Sequence, residues 1–404
     1  MFLISKFFKN TYFLLFYLLF FSLISCGQEL TKKINSTNSQ PIKTGAQQTQ
    51  LYIPFLQNKN IAIVANQTSV IFKDKSNYTH IVDSLLALNI TIKKVFSPEH
   101  GFRGTADASE HVANNIDTKT GLPIVSLYGK NKKPTKQQLD GIDLVIFDIQ
   151  DVGVRFYTYI STLHYVMEAC AENNIPLMVL DRPNPNGFYV DGPTLDLKYK
   201  SFVGMHPVPL VYGMTIGEYA KMINGEHWLK NSIQCNLTVI PLRNYTHQSH
   251  YSLPIRPSPN LPNNKAINLY PSLGFFEGTI INAGRGTENQ FQQYGAPFFP
   301  KSDFSYTPKP NFGAKHPKFE HKLCYGVSLK DVPQLNHINI KWLVDAYTKT
   351  PKNKLFFGAT FTKHAGNTLL EQQLKKGLSA KKIHKSWQPA IKKFKKTRAK
   401  YLLY

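Results

Sequence analysis

Short apolar runs alternate with segments of helical periodicity through the first part of the chain. Runs rich in β-branched or aromatic residues are predicted as strands at residues 61–66, 90–96, 143–149, 176–181 and 236–242. Segments with apolar residues at helical spacing are predicted as helices at residues 79–88, 157–173 and 213–225. Because strands that alternate with helices form parallel sheets with right-handed crossovers, the pattern predicts an α/β fold.

Polar side chains follow four successive predicted strands at the point where each strand ends. They are Asn66, Glu99, Asp148, Asp151, Asp181 and Arg182. The carboxyl ends of parallel strands share one edge of the sheet, and ligands bind in the crevice outside that edge. The sequence therefore predicts a polar cleft at this edge.

The loop that follows the strand at residues 90–96 carries the best candidate for chemistry. Pro98 and Gly101 interrupt the strand, and the break holds a carboxylate, an imidazole and a guanidinium. These belong to Glu99, His100 and Arg103. The alternative is a polar surface turn in which Glu99 pairs with Arg103, and the loop alone does not decide between the two.

A proline-rich stretch at residues 253–262 separates the α/β part from the rest, because its four prolines cannot continue a helix or a central strand. We expect a catalytic domain at residues 51–262 and a smaller α+β domain at residues 263–404 that completes the cleft. Two late helices are predicted at residues 369–376 and 390–401.

A second polar cluster lies at residues 270–300. Glu277 precedes a Gly-Thr pair, and the turn GRGTE contains Arg285 and Glu288. The glycines of this turn allow the backbone to approach a ligand closely. A rigid turn held by an ion pair between Arg285 and Glu288 is the alternative.

The first fifty residues are predicted to lie outside the fold. Lys6 and Lys9 precede an apolar run and the sequence LISCG, which is typical of a secretory signal with a lipobox. We therefore expect a lipoprotein signal peptide at residues 1–25, lipidation of Cys26 and a disordered tether at residues 26–50. An ordinary cleaved signal or an uncleaved anchor is the alternative. The protein is accordingly expected to be exported and attached to the cell envelope, on the periplasmic or outer-membrane side.

Neither a metal, a disulfide framework nor a nucleotide cofactor is expected. Three further cysteines, Cys170, Cys235 and Cys324, cannot all pair and show no zinc-binding spacing. The sequence contains neither GxGxxG after the first strand nor a Walker A motif.

The formal net charge is +23, and fifteen Lys or Arg residues but a single acid, Glu371, lie between residues 349 and 404. An exported chain without a nucleic-acid motif is not expected to bind nucleic acid. An anionic polymer or membrane surface is the better partner, although a generally basic proteome explains the charge equally well.

Carboxylates near Arg, Tyr and Asn in an exported protein favour hydrolysis of a glycosidic bond. That reaction needs a protonated carboxyl group for the leaving oxygen and usually a second carboxylate. Glu99 is the candidate for the acid. Asp148, Asp151, Asp181 and Glu277 compete for the second role. A serine nucleophile is disfavoured because no GxSxG motif is present.

A set of longer motifs resembles one bacterial family. They are VFSPEHGFRG (95–104), SLYG (126–129), FDIQDVGVRFYTYIST (147–162), VLDRPNPNG (179–187), GMTIGE (213–218), RPSPNLP (256–262), EGT (277–279), GRGT (284–287), GAPF (295–298) and YLLY (401–404). This family, formerly a domain of unknown function, is associated with exo-acting β-N-acetylmuramidases of peptidoglycan recycling. The resemblance covers about residues 50–404.

The resemblance implies a Rossmann-like domain with helices on both faces of a parallel sheet, a smaller C-terminal domain and an active site between them. It also implies release of terminal N-acetylmuramic acid from the non-reducing end of peptidoglycan fragments. Glu99 matches the family's proposed catalytic glutamate, and Asp151 and Glu277 are further catalytic candidates. The residues expected to bind substrate are Asn66, His100, Arg103, Asp148, Arg155, Tyr157, Asp181, Arg182, Asn184, Arg285 and Glu288.

The sequence departs from the family pattern at two places. Asn282 and Ala283 stand where relatives tend to have Ser-Glu, and Gln290 to Gln292 stand where they tend to have Pro-Phe-Glu. The rival functions are a non-catalytic lipoprotein that binds muropeptides or sugars and a glycosidase for another amino sugar.

Overall fold

A seven-stranded sheet forms the centre of the fold in a computed structural model that describes residues 40–74, 77–103 and 115–404. The strands of this part are β1 Ile61–Ala65, β2 Val70–Phe72, β3 Tyr78–His80, β4 Ile92–Ser97, β5 Asn115–Ile116, β6 Pro123–Ser126, β7 Leu144–Asp148, β8 Leu177–Leu180 and β9 Leu237–Ile240. The sheet order is β5-β6-β4-β1-β7-β8-β9, and only β5 is antiparallel to its neighbour. β2 and β3 form a separate hairpin. The six parallel strands follow the Rossmann order 3-2-1-4-5-6, so the predicted fold is confirmed.

Helices cover the sheet and build the C-terminal part. They are α1 Ile81–Ala87, α2 Lys136–Leu139, α3 Tyr159–Glu172, α4 Ile216–Gly225, α5 Asn264–Leu273, α6 Lys341–Lys349, α7 Phe361–Ala365, α8 Leu369–Lys375 and α9 Ala380–Arg398. Alternate strand residues enter two cores because successive side chains of a strand point to opposite faces. Val64 and Phe147 belong to the larger core with α3 and α4, whereas Ile63 and Ile146 belong to a second core with α1. None of the helices in the described part of the chain is long and apolar enough to cross a bilayer.

The segment before β1 completes the second core. Ala46, Tyr52 and Leu56 are fully buried there, within or beside three short 3₁₀ turns. The backbone N–H of Gly45 donates to the carbonyl of Asp181 at 2.8 Å. The predicted tether therefore ends too late at residue 50, because Gly45 and Ala46 already belong to the fold, and the Gln and Thr residues around them gave no apolar pattern.

The C-terminal part combines helices with a small antiparallel sheet, as the predicted α+β class requires. Its strands are β10 Gln293–Ala296, β11 Ser305–Tyr306 and β12 Cys324–Ser328, in the order β10-β12-β11. α9 begins at Ala380 instead of residue 390 and accommodates Pro389 in its interior. Burial of Ile383 and Trp387, one turn apart, stabilises the first half of this helix.

The chain end returns to the Rossmann-like part. The Tyr404 hydroxyl donates to Asp181 at 2.7 Å, and Arg398 Nε donates to the Gly213 carbonyl at 2.8 Å. Residues 43–404 form one compact unit. The boundary near residue 262 stays a prediction, since the parts on both sides of it belong to this one unit.

Replacing Gly45 with Ala tests whether the early segment belongs to the fold. A Cβ there would lie 2.5 Å from the Ile240 carbonyl oxygen and 2.6 Å from the Asp181 nitrogen. We expect the free energy of unfolding in urea to fall by about 1–3 kcal/mol, the usual cost of overpacking. Gln50→Ala, at an exposed position of the same segment, should change it by less than about 0.5 kcal/mol. Equal stability of the two variants would contradict this packing.

Candidate active site

A pocket of about 180 Å³ opens beyond the carboxyl end of β4. The Rossmann-like part lines it with Glu99, His100, Tyr128, Phe156, Tyr157 and Thr158. The C-terminal part adds Tyr270, Glu277, Arg285, Phe291 and His364. Both parts of the chain therefore build one site, at the edge of the sheet where the sequence predicts it.

A sharp turn after β4 presents the Glu99 carboxylate to this pocket. Two consecutive residues, His100 and Gly101, have φ values of 73° and 78°, and this left-handed conformation is costly for a residue with a side chain. Glu99 is half-buried, and the Thr158 hydroxyl donates to its Oε2 at 2.8 Å. The alternative of a Glu99–Arg103 surface pair is wrong because Arg103 pairs with Asp117 at 2.7 Å.

Asn66 does not line the pocket but supports this turn through the Tyr159 hydroxyl. Its Nδ2 donates to the Tyr159 hydroxyl at 2.9 Å, and that hydroxyl lies 3.4 Å from the Glu99 carbonyl oxygen. Asn66 is fully buried. Its position at the end of β1 was predicted as substrate-binding, but the structure gives it the role of holding the backbone of the neighbouring loop.

A second carboxylate in the pocket is tied to a guanidinium. Arg285 Nη1 donates to Glu277 Oε2 at 2.9 Å. Burial raises the pKa of Glu277, but the charges of Arg285, Lys318 and His364 together outweigh this effect and hold the pKa below its ordinary value. Glu277 is therefore ionised at neutral pH. The predicted alternative, an ion pair between Arg285 and Glu288, is not observed.

The turn that carries Arg285 is held by Asn282, which stands at one of the departures from the family pattern. Asn282 Nδ2 donates to the carbonyls of Arg285 at 3.0 Å and Lys318 at 2.9 Å. Lys318 Nζ in turn donates to the carbonyls of Phe276 at 2.7 Å and Thr279 at 2.6 Å. The amide therefore joins the two backbone segments that position the Glu277–Arg285 pair.

Asp148 and Arg182 form an ion pair inside the protein and do not line the pocket. Arg182 donates from Nε to one carboxylate oxygen at 2.6 Å and from Nη2 to the other at 2.8 Å. Both side chains are buried. The structure thus corrects their predicted role: two groups left unpaired at the ends of adjacent buried strands would be costly, so they satisfy each other.

Asp151 and Asp181 also accept hydrogen bonds from buried groups of the protein. Asp151 accepts from Gly153 N at 2.7 Å and from the Tyr212 hydroxyl, while burial raises its pKa to about 6. Asp181 accepts from the Thr215 hydroxyl at 2.7 Å, and burial raises its pKa to about 7. Neither carboxylate lines the pocket, so the structure does not bring Asp151 to the site in which it was predicted to be catalytic.

Arg155 is buried in the body of the protein. Its guanidinium donates to the carbonyls of Pro193 at 2.6 Å, Val208 at 3.0 Å and His364 at 3.0 Å. Burial lowers the pKa of Arg155 to about 10, so it stays charged at neutral pH. The side chain fixes the backbone beneath the pocket residue His364 and, contrary to the prediction, does not face a ligand.

The remaining predicted residues divide between pocket and scaffold. His100 and Tyr157 line the pocket as predicted, and the Tyr157 hydroxyl donates to the Pro257 carbonyl at 2.8 Å. Asn184 instead holds its own loop through Asn186 N and the carbonyl of Met214. Glu288 is exposed at the surface and does not line the pocket. Cys26 lies outside the described residues.

Thr158, Tyr270 and His364 were missed by the sequence analysis. Thr158 follows Tyr157 directly, and its short hydroxyl next to a predicted cleft residue was an available signal. Tyr270 lies in a helix and His364 follows ordinary polar residues, so neither carried a local signal. They reach the site only through the packing of the C-terminal part against the sheet.

Two family descriptions and a curated relative match this chain over most of its length. The family description "Exo-beta-N-acetylmuramidase NamZ, N-terminal" matches residues 61–265, and its C-terminal counterpart matches residues 268–404. The peptidoglycan beta-N-acetylmuramidase NamZ of Bacillus subtilis (strain 168) is 38% identical over 414 residues, which cover 96% of this chain and 97% of that protein.

Two crystal structures of DUF1343 family proteins from Bacteroides fragilis NCTC 9343 share the fold. They are 46% and 27% identical to this chain, with TM-scores of 0.83 and 0.77. Each comparison covers 90% of this chain and 99% of the other. Together with the matched family descriptions, these likenesses show that the chain belongs to the NamZ family of exo-β-N-acetylmuramidases.

Proposed function

We propose that this protein is a glycosidase that releases terminal N-acetylmuramic acid from the non-reducing end of peptidoglycan fragments. Family membership supports the reaction class. The observation that carries the proposal is the half-buried carboxyl group of Glu99, which lines a pocket shared with the Glu277–Arg285 pair.

Glu99 acts as the general acid in this proposal. Cleavage needs a proton on the leaving glycosidic oxygen, and Glu99 supplies a half-buried carboxyl group to the pocket at the position that matches the family's proposed catalytic glutamate. The hydrogen bond from Thr158 to Oε2 fixes the orientation of the carboxyl group before substrate binds. Since Glu277 is held ionised, it stabilises positive charge that develops on the sugar instead of donating a proton.

Arg285 is the residue proposed to bind the lactyl carboxylate of the sugar. Of the three arginines considered for this task, Arg155 and Arg182 lie in the interior away from the pocket, whereas Arg285, which donates to Glu277 and to the Gly313 carbonyl, lines it. A guanidinium matches the two oxygens of a carboxylate, which favours muramic acid over sugars without the lactyl group.

Export and lipid attachment at Cys26 are also proposed. Support comes from the basic start, the apolar run and the LISCG sequence. An anchored enzyme of this kind would act on wall fragments at the cell envelope, and the anionic partners expected for its basic C-terminal segment are present there.

Replacing Glu99 with Gln keeps the size of the side chain but removes the acidic carboxyl proton that a general acid donates. We expect turnover of a chromogenic β-N-acetylmuraminide to fall by about 100-fold or more, as expected for loss of a general acid. Glu371→Gln, the same change at a surface residue paired with Lys375, should retain wild-type turnover. An unchanged rate for Glu99→Gln would remove this residue from the mechanism. A wild-type protein that binds the sugar without turnover would favour the non-catalytic rival.

Replacing Arg285 with Lys keeps the charge and removes the two-pronged hydrogen bonding. We expect kcat/KM for the muraminide to fall about 10-fold more than kcat/KM for the matching N-acetylglucosaminide, because only the muraminide offers a carboxylate. The ratio cancels any general loss of activity. Equal losses for both substrates would show that Arg285 does not recognise the lactyl group, and a wild-type preference for the glucosaminide would favour the other rival.

Cys26→Ser tests the anchor. Bacterial cells that express the wild-type chain should incorporate a labelled fatty acid into it, and the variant should not. Cys170→Ser changes a buried cysteine and should leave the labelling intact. Equal labelling of wild type and Cys26→Ser would contradict the proposed attachment site.

A further inference from the structure

Tyr270 is held in the pocket by aromatic rings on several sides. Its ring centroid lies 4.8 Å from Phe291, 5.1 Å from Phe156 and 6.2 Å from Tyr157, all at steep interplanar angles. Such edge-to-face contacts fix the orientation of the ring. The side chain is half-buried and lines the pocket. Its position is therefore set before any ligand binds.

The backbone beneath Tyr270 is also fixed. Pro271 follows it inside α5 and cannot donate to the carbonyl of Ile267, four residues earlier. Asn186 Nδ2 donates to that carbonyl at 3.2 Å instead. An amide from the Rossmann-like part thus replaces the missing helical hydrogen bond and joins α5 to the sheet.

The hydroxyl of Tyr270 makes no hydrogen bond to any residue that the structure describes. Two other buried tyrosines use theirs: Tyr157 donates to the Pro257 carbonyl at 2.8 Å, and Tyr294 donates to Asp345 at 2.7 Å. Burial raises the pKa of Tyr270, and the charges of Glu277 and Glu99 raise it further. The Tyr270 hydroxyl is therefore protonated and feels the charges of both pocket carboxylates, Glu99 and Glu277. It can donate a hydrogen bond to a ligand.

The charge around this hydroxyl selects its acceptor. The charges of Glu277 and Glu99 act on this hydroxyl more strongly than that of Arg285, and the lactyl carboxylate is already assigned to Arg285, so an uncharged oxygen of the substrate is the acceptor expected at this point. Among the uncharged oxygens of an N-acetylated amino sugar, the amide carbonyl is the strongest acceptor. Hydroxyl and ether oxygens of the ring accept more weakly.

We propose that the Tyr270 hydroxyl donates a hydrogen bond to the carbonyl oxygen of the 2-acetamido group of the terminal sugar. This inference rests on the proposed glycosidase function. In this role Tyr270 touches the substrate, orients the acetamido group between Glu99 and Glu277, and contributes selectivity for N-acetylated sugars.

The test combines Tyr270→Phe with a change in the substrate. A chromogenic β-muraminide with an N-acetyl group is compared with the same sugar carrying an N-trifluoroacetyl group, whose carbonyl accepts more weakly. For each enzyme the readout is the ratio of kcat/KM for the two substrates. We expect this ratio to be about 3–10-fold smaller in Tyr270→Phe than in wild type, because only wild type uses the acceptor.

Tyr294→Phe is the matched control, since its hydroxyl donates to Asp345 and the residue does not line the pocket. This control variant should have a lower melting temperature than wild type. Its ratio of kcat/KM values for the two substrates should equal that of wild type. Phe at position 270 keeps the ring contacts, so its melting temperature should stay near that of wild type. Equal ratios for Tyr270→Phe and an active wild type would overturn the inference alone. A wild type that cleaves neither substrate would overturn the proposed function, and the inference with it.

Discussion

The need to satisfy buried polar groups decides which residues at the edge of the sheet remain available for chemistry. Parallel strands bring several charged side chains together where they end, and each one that is buried must find a partner. Asp148 and Arg182 pair with each other, and Asp181 accepts hydrogen bonds from Thr215 and the C-terminal Tyr404. Glu99 is different because the turn at His100 lifts it into the pocket and leaves it half-buried.

The same constraint explains why the C-terminal part is needed. The sheet alone offers one carboxyl group, on Glu99, with a hydroxyl that orients it. The C-terminal part adds Glu277 in its ionised form, together with Arg285 and the aromatic setting of Tyr270. The two carboxylates are held by different donors: the Thr158 hydroxyl donates to Glu99, and the Arg285 guanidinium donates to Glu277. A pair of acids with different partners is what glycoside cleavage requires.

The alternation of apolar strands and helices predicted the parallel sheet, because strand and helix periods are local properties of the sequence. It also placed Glu99 at the correct edge. The hydrophobic pattern could not distinguish the pocket residue Glu99 from the buried Asp148 and Asp181. All three follow apolar strands, and what distinguishes them is the set of hydrogen-bonding partners that each one finds. Those partners come from distant positions, as Tyr404 does for Asp181. The burial of Ala46 was hidden for a similar reason, because its core forms only against the sheet.

The central claim is that the terminal sugar binds between the carboxyl group of residue 99 and Arg285. A crystal structure of the Glu99→Gln variant with a disaccharide that has N-acetylmuramic acid at its non-reducing end tests it most directly. The account predicts the muramic acid ring in this pocket, with its lactyl carboxylate on Arg285 and its glycosidic oxygen within hydrogen-bonding distance of residue 99. A sugar bound elsewhere on the protein, or one whose glycosidic oxygen lies out of reach of residue 99, would contradict it.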